Sequence, residues 1–199
     1  VTPPAAPSNL TLTLQAGPQI RLTWRDNATT ETGFIIQRST NGGAFTQIAT
    51  APARNNTGNV NYTDTTIAAG NTYQYRVAAT NTAGNSAFSN TAQLAVPAVP
   101  AAPSNFAAAR GPNNGNTRSI VLTWRDNSNN ETGFTIERAT NASFTQGYNA
   151  VTVGANTTTY TQTGLGRAVR YYFRIRANNG TIIFSGWVNA NRFPITTAP

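Results

Sequence analysis

Hydrophobic residues recur at every second position in short runs along this chain, and nowhere at the three-to-four-residue spacing of a helix. Asn9-Leu10-Thr11-Leu12-Thr13-Leu14 alternates strictly and predicts a strand with one buried face. After a turn at Gly17-Pro18, Ile20, Leu22 and Trp24 point one way while Arg21, Thr23 and Arg25 point the other. A loop rich in turn formers runs from Asp26 to Gly33, and Phe34 and Ile36 then face inward on a third strand. Asn41-Gly42-Gly43 predicts a hairpin into Phe45-Thr46-Gln47-Ile48. A weak polar stretch leads through Asn59 to Tyr62-Thr63-Asp64. From Tyr73 the alternation returns, with Tyr75, Val77 and Ala79 inward and Gln74, Arg76, Ala78 and Thr80 outward. Ser86 to Val96 reads as one last strand. About seven short strands in about ninety residues predict an antiparallel sandwich.

The pattern then repeats. Leu22-Thr23-Trp24-Arg25-Asp26-Asn27 and Glu31-Thr32-Gly33-Phe34 return as Leu122-Thr123-Trp124-Arg125-Asp126-Asn127 and Glu131-Thr132-Gly133-Phe134. Pro4-Ala5-Ala6-Pro7-Ser8-Asn9 returns as Pro100-Ala101-Ala102-Pro103-Ser104-Asn105. A period near one hundred residues is far longer than that of a solenoid, so each copy must bury its own core. This predicts a domain over 1–96, a Pro-rich linker over 97–103 and a second domain over 104–199. The linker reads as a semi-rigid polyproline spacer. The offset between copies is 96 at the Pro-rich lead, 100 at the Trp and 98 at Tyr62/Tyr160. It changes only in segments that read as loops, as a shared core requires.

Composition narrows the chemistry. Mean hydropathy is −0.34 and no apolar run approaches the roughly 18 residues of a membrane helix. The first residues, Val1-Thr2-Pro3-Pro4, show neither an initiator Met nor a signal pattern and read as an excerpt or a mature chain. Cys, His, Met and Lys are all absent, which removes disulfides, thiolate and imidazole catalysis and His/Cys zinc sites, and makes every cation an Arg. The six carboxylates are Asp26, Glu31, Asp64, Asp126, Glu131 and Glu137. The Asp26–Glu31 pair and its repeat, Asp126–Glu131, admit a Ca²⁺ loop or paired acids. The absence of alternate-position oxygen ligands favours carboxylates that satisfy loop amides or meet Arg38 and Arg138.

The net charge is +8. Arg76, Arg174 and Arg176 alternate outward on equivalent strands and form a candidate anion-binding set, since Arg pairs bidentately with carboxylate and phosphate. The competing reading is a soluble coat that keeps sheet edges apart. No interleaved aromatic motif marks a nucleic-acid-binding sheet. Eight Asn-X-Ser/Thr triplets, from Asn9 to Asn179, are close to what so Asn- and Thr-rich a chain produces by chance. In the second copy, Asn178-Asn179-Gly180-Thr181 predicts a tight turn before Ile182-Ile183-Phe184-Ser185-Gly186-Trp187. Ile182, Ile183, Phe184 and Trp187 form a candidate interface, with packing inside the protein as the alternative.

Several of these residues give the chain a family likeness. Pro7 and Pro103 stand at the entrance of each copy, Trp24 and Trp124 on its second strand, and Ile67 and Leu165 six residues before Tyr73 and Tyr171. With Tyr75-Arg76-Val77-Ala78-Ala79 and Phe173-Arg174-Ile175-Arg176-Ala177 on the strand that follows, the chain resembles tandem fibronectin type III domains of bacterial secreted or surface proteins. The Ile/Leu-to-Tyr spacing is similar to the family's tyrosine corner, whose hydroxyl ties back to nearby backbone. The resemblance implies an all-β fold of two immunoglobulin-like antiparallel sandwiches, no catalysis, no cofactor and an extracellular or cell-surface location. It implies a spacer, adhesion or assembly role with other protein domains, copies of itself, anionic polysaccharide or cell envelope as partners. An accessory pair in a secreted polysaccharide-degrading enzyme and an anionic-glycan module stay open beside it. No Arg-Gly-Asp occurs, so the integrin-binding loop of animal relatives is not carried over.

The alternation is anchored on Trp24 and Trp124. Replacing either by Ala should cost about 3–5 kcal/mol in the altered domain, measured by denaturant unfolding. A solvent-exposed indole at either position would shift the inward register by one residue.

Overall fold

The computed structural model describes residues 1–113 and 115–199, which form two compact units, Val1–Ala98 and Val99–Pro199. The first unit contains β1 (Ser8–Gln15), β2 (Gln19–Asp26), β3 (Gly33–Thr40), β4 (Thr46–Pro52), β5 (Gly58–Asp64), β6 (Thr72–Asn81), β7 (Gly84–Asn85) and β8 (Ala92–Ala95). One sheet has the order β1-β2-β5, and the other β4-β3-β6-β7 with β8 also on β6. The second unit contains β9 (Ser104–Arg110), β10 (Arg118–Arg125), β11 (Gly133–Ala139), β12 (Asn149–Gly154), β13 (Thr159–Leu165) and β14 (Arg170–Asn179). It ends with β15 (Ile183–Phe184), β16 (Val188–Asn189) and β17 (Ile195–Thr196). Its sheets run β13-β10-β9 and β12-β11-β14-β15, with β16 and β17 also on β14. Every pairing is antiparallel.

Alternation decides which side chains fill each sandwich. Ile20, Leu22 and Trp24 on β2 are fully buried, as are Phe34 and Ile36 on β3 and Tyr75, Val77 and Ala79 on β6. Trp24 meets Phe34 edge-on at 5.4 Å, and Trp124 meets Phe134 at 5.6 Å and Phe106 at 6.3 Å. Such pairs add to the burial of the rings themselves. Both indole Nε1 groups are buried without an acceptor, so these tryptophans act by volume rather than by their polar atom.

Irregularities recur at matching places. Asn9 and Asn105 adopt left-handed backbone, with φ of 54° and 55°, where the registers of β1 and β9 slip against β2 and β10. Asn visits this region more readily than bulkier residues, and the slip is a bulge in each first strand. Asn90 then bridges from the end of the first unit to β1: its Oδ1 accepts from Leu10 N–H at 2.9 Å and its Nδ2 donates to Leu10 O at 3.0 Å. Asn191 Oδ1 accepts from Ala108 N–H at 3.0 Å in the second unit.

Two expected element bounds change. The polar stretch before Tyr62 pairs with β2 from Gly58 onward, because Asn59 and Asn61 lie on the exposed side of that edge strand. The single last strand expected over 86–96 is broken between β7 and β8. There Ser86 Oγ accepts from Ala79 N–H at 2.9 Å and Ser89 Oγ from Val77 N–H at 3.1 Å, so hydroxyls replace the backbone acceptors of a strand. Ser185 Oγ does the same for Ala177 N–H at 2.9 Å.

Tyr73 and Tyr171 tie the ends of the sandwiches to neighbouring loops. The Tyr73 hydroxyl accepts from Ala68 N–H at 2.8 Å, and the Tyr171 hydroxyl from Gly166 N–H at 3.1 Å; each amide is one residue beyond the buried Ile67 or Leu165. Tyr73→Phe and Tyr171→Phe should each cost roughly 1–3 kcal/mol by leaving an amide unpaired. Thermal unfolding of each variant against the parent measures this, and a change within error would make the hydroxyl dispensable.

Candidate functional site

Arg76 on β6 and Arg174 and Arg176 on β14 are half-buried and lie on the outer face of the larger sheet. In the second unit Arg174 and Arg176 project there beside three rings: Phe184 on β15, Trp187 just after it, and Phe144 between β11 and β12. The Arg176 guanidinium lies 3.7 Å from the Phe184 ring centroid and 4.4 Å from that of Trp187. Arg174 lies 4.4 Å from Trp187 and 4.1 Å from Phe144. The order is ring, cation, ring, cation, ring: Phe184, Arg176, Trp187, Arg174, Phe144. In the first unit Arg76 lies 4.3 Å from Phe45 and 4.0 Å from Phe88. Each such contact contributes about 0.5–1 kcal/mol when exposed and more when water is excluded.

The candidate interface and the candidate anion set therefore meet in one arrangement. Phe184 and Trp187 lie against the arginines that the sequence reading treated separately. Ile183 is only 3% exposed and packs inward, so it leaves the candidate surface; Ile182, Phe184 and Trp187 are half-buried. Phe45, Phe88 and Phe144 complete the ladders and were not singled out from the sequence. Their signal was present only as three aromatics in loops that otherwise hold small and polar residues.

The three arginines differ in charge balance. Arg76 Nε donates to the neutral Gln37 at 2.8 Å across the strand pair. The matching neighbour in the second unit is Glu137, which takes Arg174 Nε at 2.7 Å and Nη2 at 2.6 Å, while the Tyr148 hydroxyl donates to its other oxygen at 2.8 Å. Arg176 lies across from Thr135, and its Nε is buried without an acceptor. Burial between the rings pulls its guanidinium below the ordinary Arg value; the Glu137 charge opposes this and Arg174 reinforces it. Neither Arg76 nor Arg176 has a carboxylate bonded to it: Arg76 bonds a neutral amide, and Glu137 acts on Arg176 only through space while it holds Arg174.

The carboxylates engage in local bonds. Asp64 is fully buried and accepts from Arg38 Nη1 at 2.7 Å, the Tyr75 hydroxyl at 2.8 Å, Thr66 N–H at 2.9 Å and Thr66 Oγ1 at 2.7 Å. Burial alone would raise this carboxyl, but those donors outweigh it and hold it below 3.8. Burial, then the bond to Asp64, pushes the Tyr75 hydroxyl far above its usual range. The second copy has Gln162 and Phe173 at the matching positions, so acid and hydroxyl are missing together. Arg138 remains and lies 5.4 Å from the Tyr171 ring, with its Nε buried and unpaired. Among the described residues no three acids converge as a metal group would require.

The fibronectin type III domain model matches residues 5–94 and 101–185. A crystal structure of the FN1–FN3 domains of chicken CNTN1 is similar over the whole chain and 69% of its own length, with 19% identity and a TM-score of 0.61. A two-domain fibronectin type III segment of chicken tenascin covers 96% of this chain and 99% of its own, with 16% identity and a TM-score of 0.44. No curated protein sequence matches the chain. Among the described residues no helix is long and apolar enough to cross a membrane.

The Asp64 network makes the first unit acid-sensitive. Because the carboxyl is held below 3.8, its contribution is complete above that value and is lost as pH falls through the lowered native one. Asp64→Asn should therefore flatten the acid limb of the first unit's stability curve and leave the second unit's unchanged, read from amide signals of each unit during pH-dependent unfolding.

Proposed function

The chain belongs to the fibronectin type III family, and from that premise we propose that it is a non-catalytic interaction and spacer pair of a bacterial surface or secreted protein. Domains of this family are typically non-catalytic interaction or spacer modules and commonly extracellular. The stretch over 97–103 serves as the stiff joint, a reading supported by its Pro content. The pair contacts an anionic polymer of the cell envelope through the outer face of the larger sheet. The observation that carries this reading is the charge asymmetry of the ladders. Arg76 and Arg176 are fixed between rings with no carboxylate bonded to either, whereas Arg174 is held by Glu137. A guanidinium already held in place loses little entropy on meeting a carboxylate or sulfate, and the aromatic rims offer apolar contact to sugar rings. The net charge of +8 adds long-range attraction.

Retention on immobilised alginate or dextran sulfate should fall as salt shortens the screening length to about 10 Å at 0.1 M. Arg176→Gln should elute at lower salt than Arg21→Gln, which removes the same charge from an exposed position on the other sheet of the first unit. Equal elution of the two variants would reduce the attraction to net charge alone.

A further inference from the structure

The two carboxyl pairs of the repeated loop lie apart from the arginine ladders and the Asp64 network. Asp26 ends β2 and Glu31 precedes β3, and both are buried, at 0% and 8% exposure. One oxygen of each has a donor: Asp26 Oδ1 accepts from Ala28 N–H at 2.9 Å, and Glu31 Oε1 from Arg54 N–H at 3.2 Å. The remaining oxygens, Asp26 Oδ2 and Glu31 Oε2, are buried with no N–H or O–H donor, yet the two side chains lie within hydrogen-bonding reach of each other. The cation facing them is Arg54, whose Nη1 donates to Asn59 O at 2.8 Å. The second unit keeps the pair with Asp126 half-buried rather than fully buried. Asp126 Oδ1 accepts from Ser128 N–H at 3.0 Å, Glu131 Oε1 accepts from Asn156 N–H at 3.3 Å, and Glu131 Oε2 is buried without a donor.

Two ionised carboxylates in contact would combine repulsion with unpaired buried charge. One proton removes both costs, because a carboxyl donates and its neighbour accepts. We propose that Asp26 and Glu31 share one proton, and Asp126 and Glu131 another, each forming a carboxyl–carboxylate lock. The lock has a mechanical role. It joins the loop leaving β2 to the segment after β4 through Arg54 N–H, and the loop leaving β10 to the segment after β12 through Asn156 N–H. Since β2 and β4 belong to different sheets, as do β10 and β12, each lock clips the two sheets together at one end.

The electrostatics of the two copies agree with this. Burial, followed by the Glu31 charge, raises Asp26 above 3.8 despite the Ala28 amide and Arg54. In the second unit Ser128 replaces Ala28, and hydrogen bonds from Glu131's own amide, Ser128, Asn156 and Asp126 outweigh burial to bring Glu131 below 4.5. In that unit this direction leaves the negative charge on Glu131. For Asp26, whose native value is raised, the stabilising contribution is complete below 3.8 and is lost as pH rises through the native value. The first unit is therefore squeezed from both sides, by Asp64 in acid and by Asp26 above it.

The test is a carboxyl-carbon NMR titration of the full chain from acid to mildly alkaline pH. Asp26 and Glu31 should titrate as a coupled pair, with the upper step displaced by more than about one pH unit. Asp26→Asn should remove that step while keeping the Arg54 amide signal in place, because the Asn amide donates to Glu31 Oε2 without a proton. If Asp26→Asn does not fold, Glu31→Gln gives the same reading at Asp26. Independent titration of the two carboxyls overturns the lock. So does a Ca²⁺ addition that moves both carboxyl signals, since the oxygens would then hold a cation rather than a proton.

Discussion

Each sandwich depends on one contact: an indole edge meeting a phenylalanine ring across the gap between two sheets. Trp24 with Phe34, and Trp124 with Phe134, set how far apart the sheets stand, and the smaller aliphatic and aromatic residues fill the remaining space. With no cysteine available, no covalent tie holds the layers together. The polar devices therefore gather at the ends, where strands run out and water could enter. Tyrosine hydroxyls tether loops there, and asparagine side chains bridge to the first strand of each unit.

Much of this was legible because a strand shows its buried face at every second residue. Ile20, Leu22 and Trp24 could be assigned inward from spacing alone, and a repeat whose offset changes only between strands indicated that the same faces return. The ladders were not legible in the same way. Arg174 and Arg176 are adjacent on one strand, but their rings come from positions 144, 184 and 187, and nothing local ties Phe144 to them. Phe184 and Trp187 looked like an unoccupied apolar patch because hydropathy treats arginine only as a charge. A guanidinium between rings is instead a partner for them. The break in the last strand of the first unit was hidden for a related reason, since a serine that replaces a backbone acceptor leaves no trace in alternation.

The two copies also show how polar groups change as sets. Asp64 and Tyr75 bond to one another in the first unit, and the second has Gln162 and Phe173 in their places. Removing one member alone would strand the other in the core, so the economical exchange takes both. The carboxyl pairs follow the opposite course and persist in both copies, although the three residues between the Asp-Asn and the Glu of each loop, Ala28-Thr29-Thr30 and Ser128-Asn129-Asn130, all differ. Comparing a protein with its own second half thus separates a polar group held by one partner from one built into the loop.

The serine hydroxyls along β6 and β14 bear on how such domains remain separate. A sheet edge with regular, unpaired amides and carbonyls is a template on which any passing strand can extend. Between residues 86 and 91 the final segment has no strand geometry. It holds its neighbour through Ser86 and Ser89, whose amides donate to Ala79 O and Val77 O while their hydroxyls accept from the amides of the same two residues. A chain rich in alternating β-formers could grow by edge addition into fibres. This margin gives an incoming strand no ladder to join, and contact with other molecules is directed to the faces of the sheets.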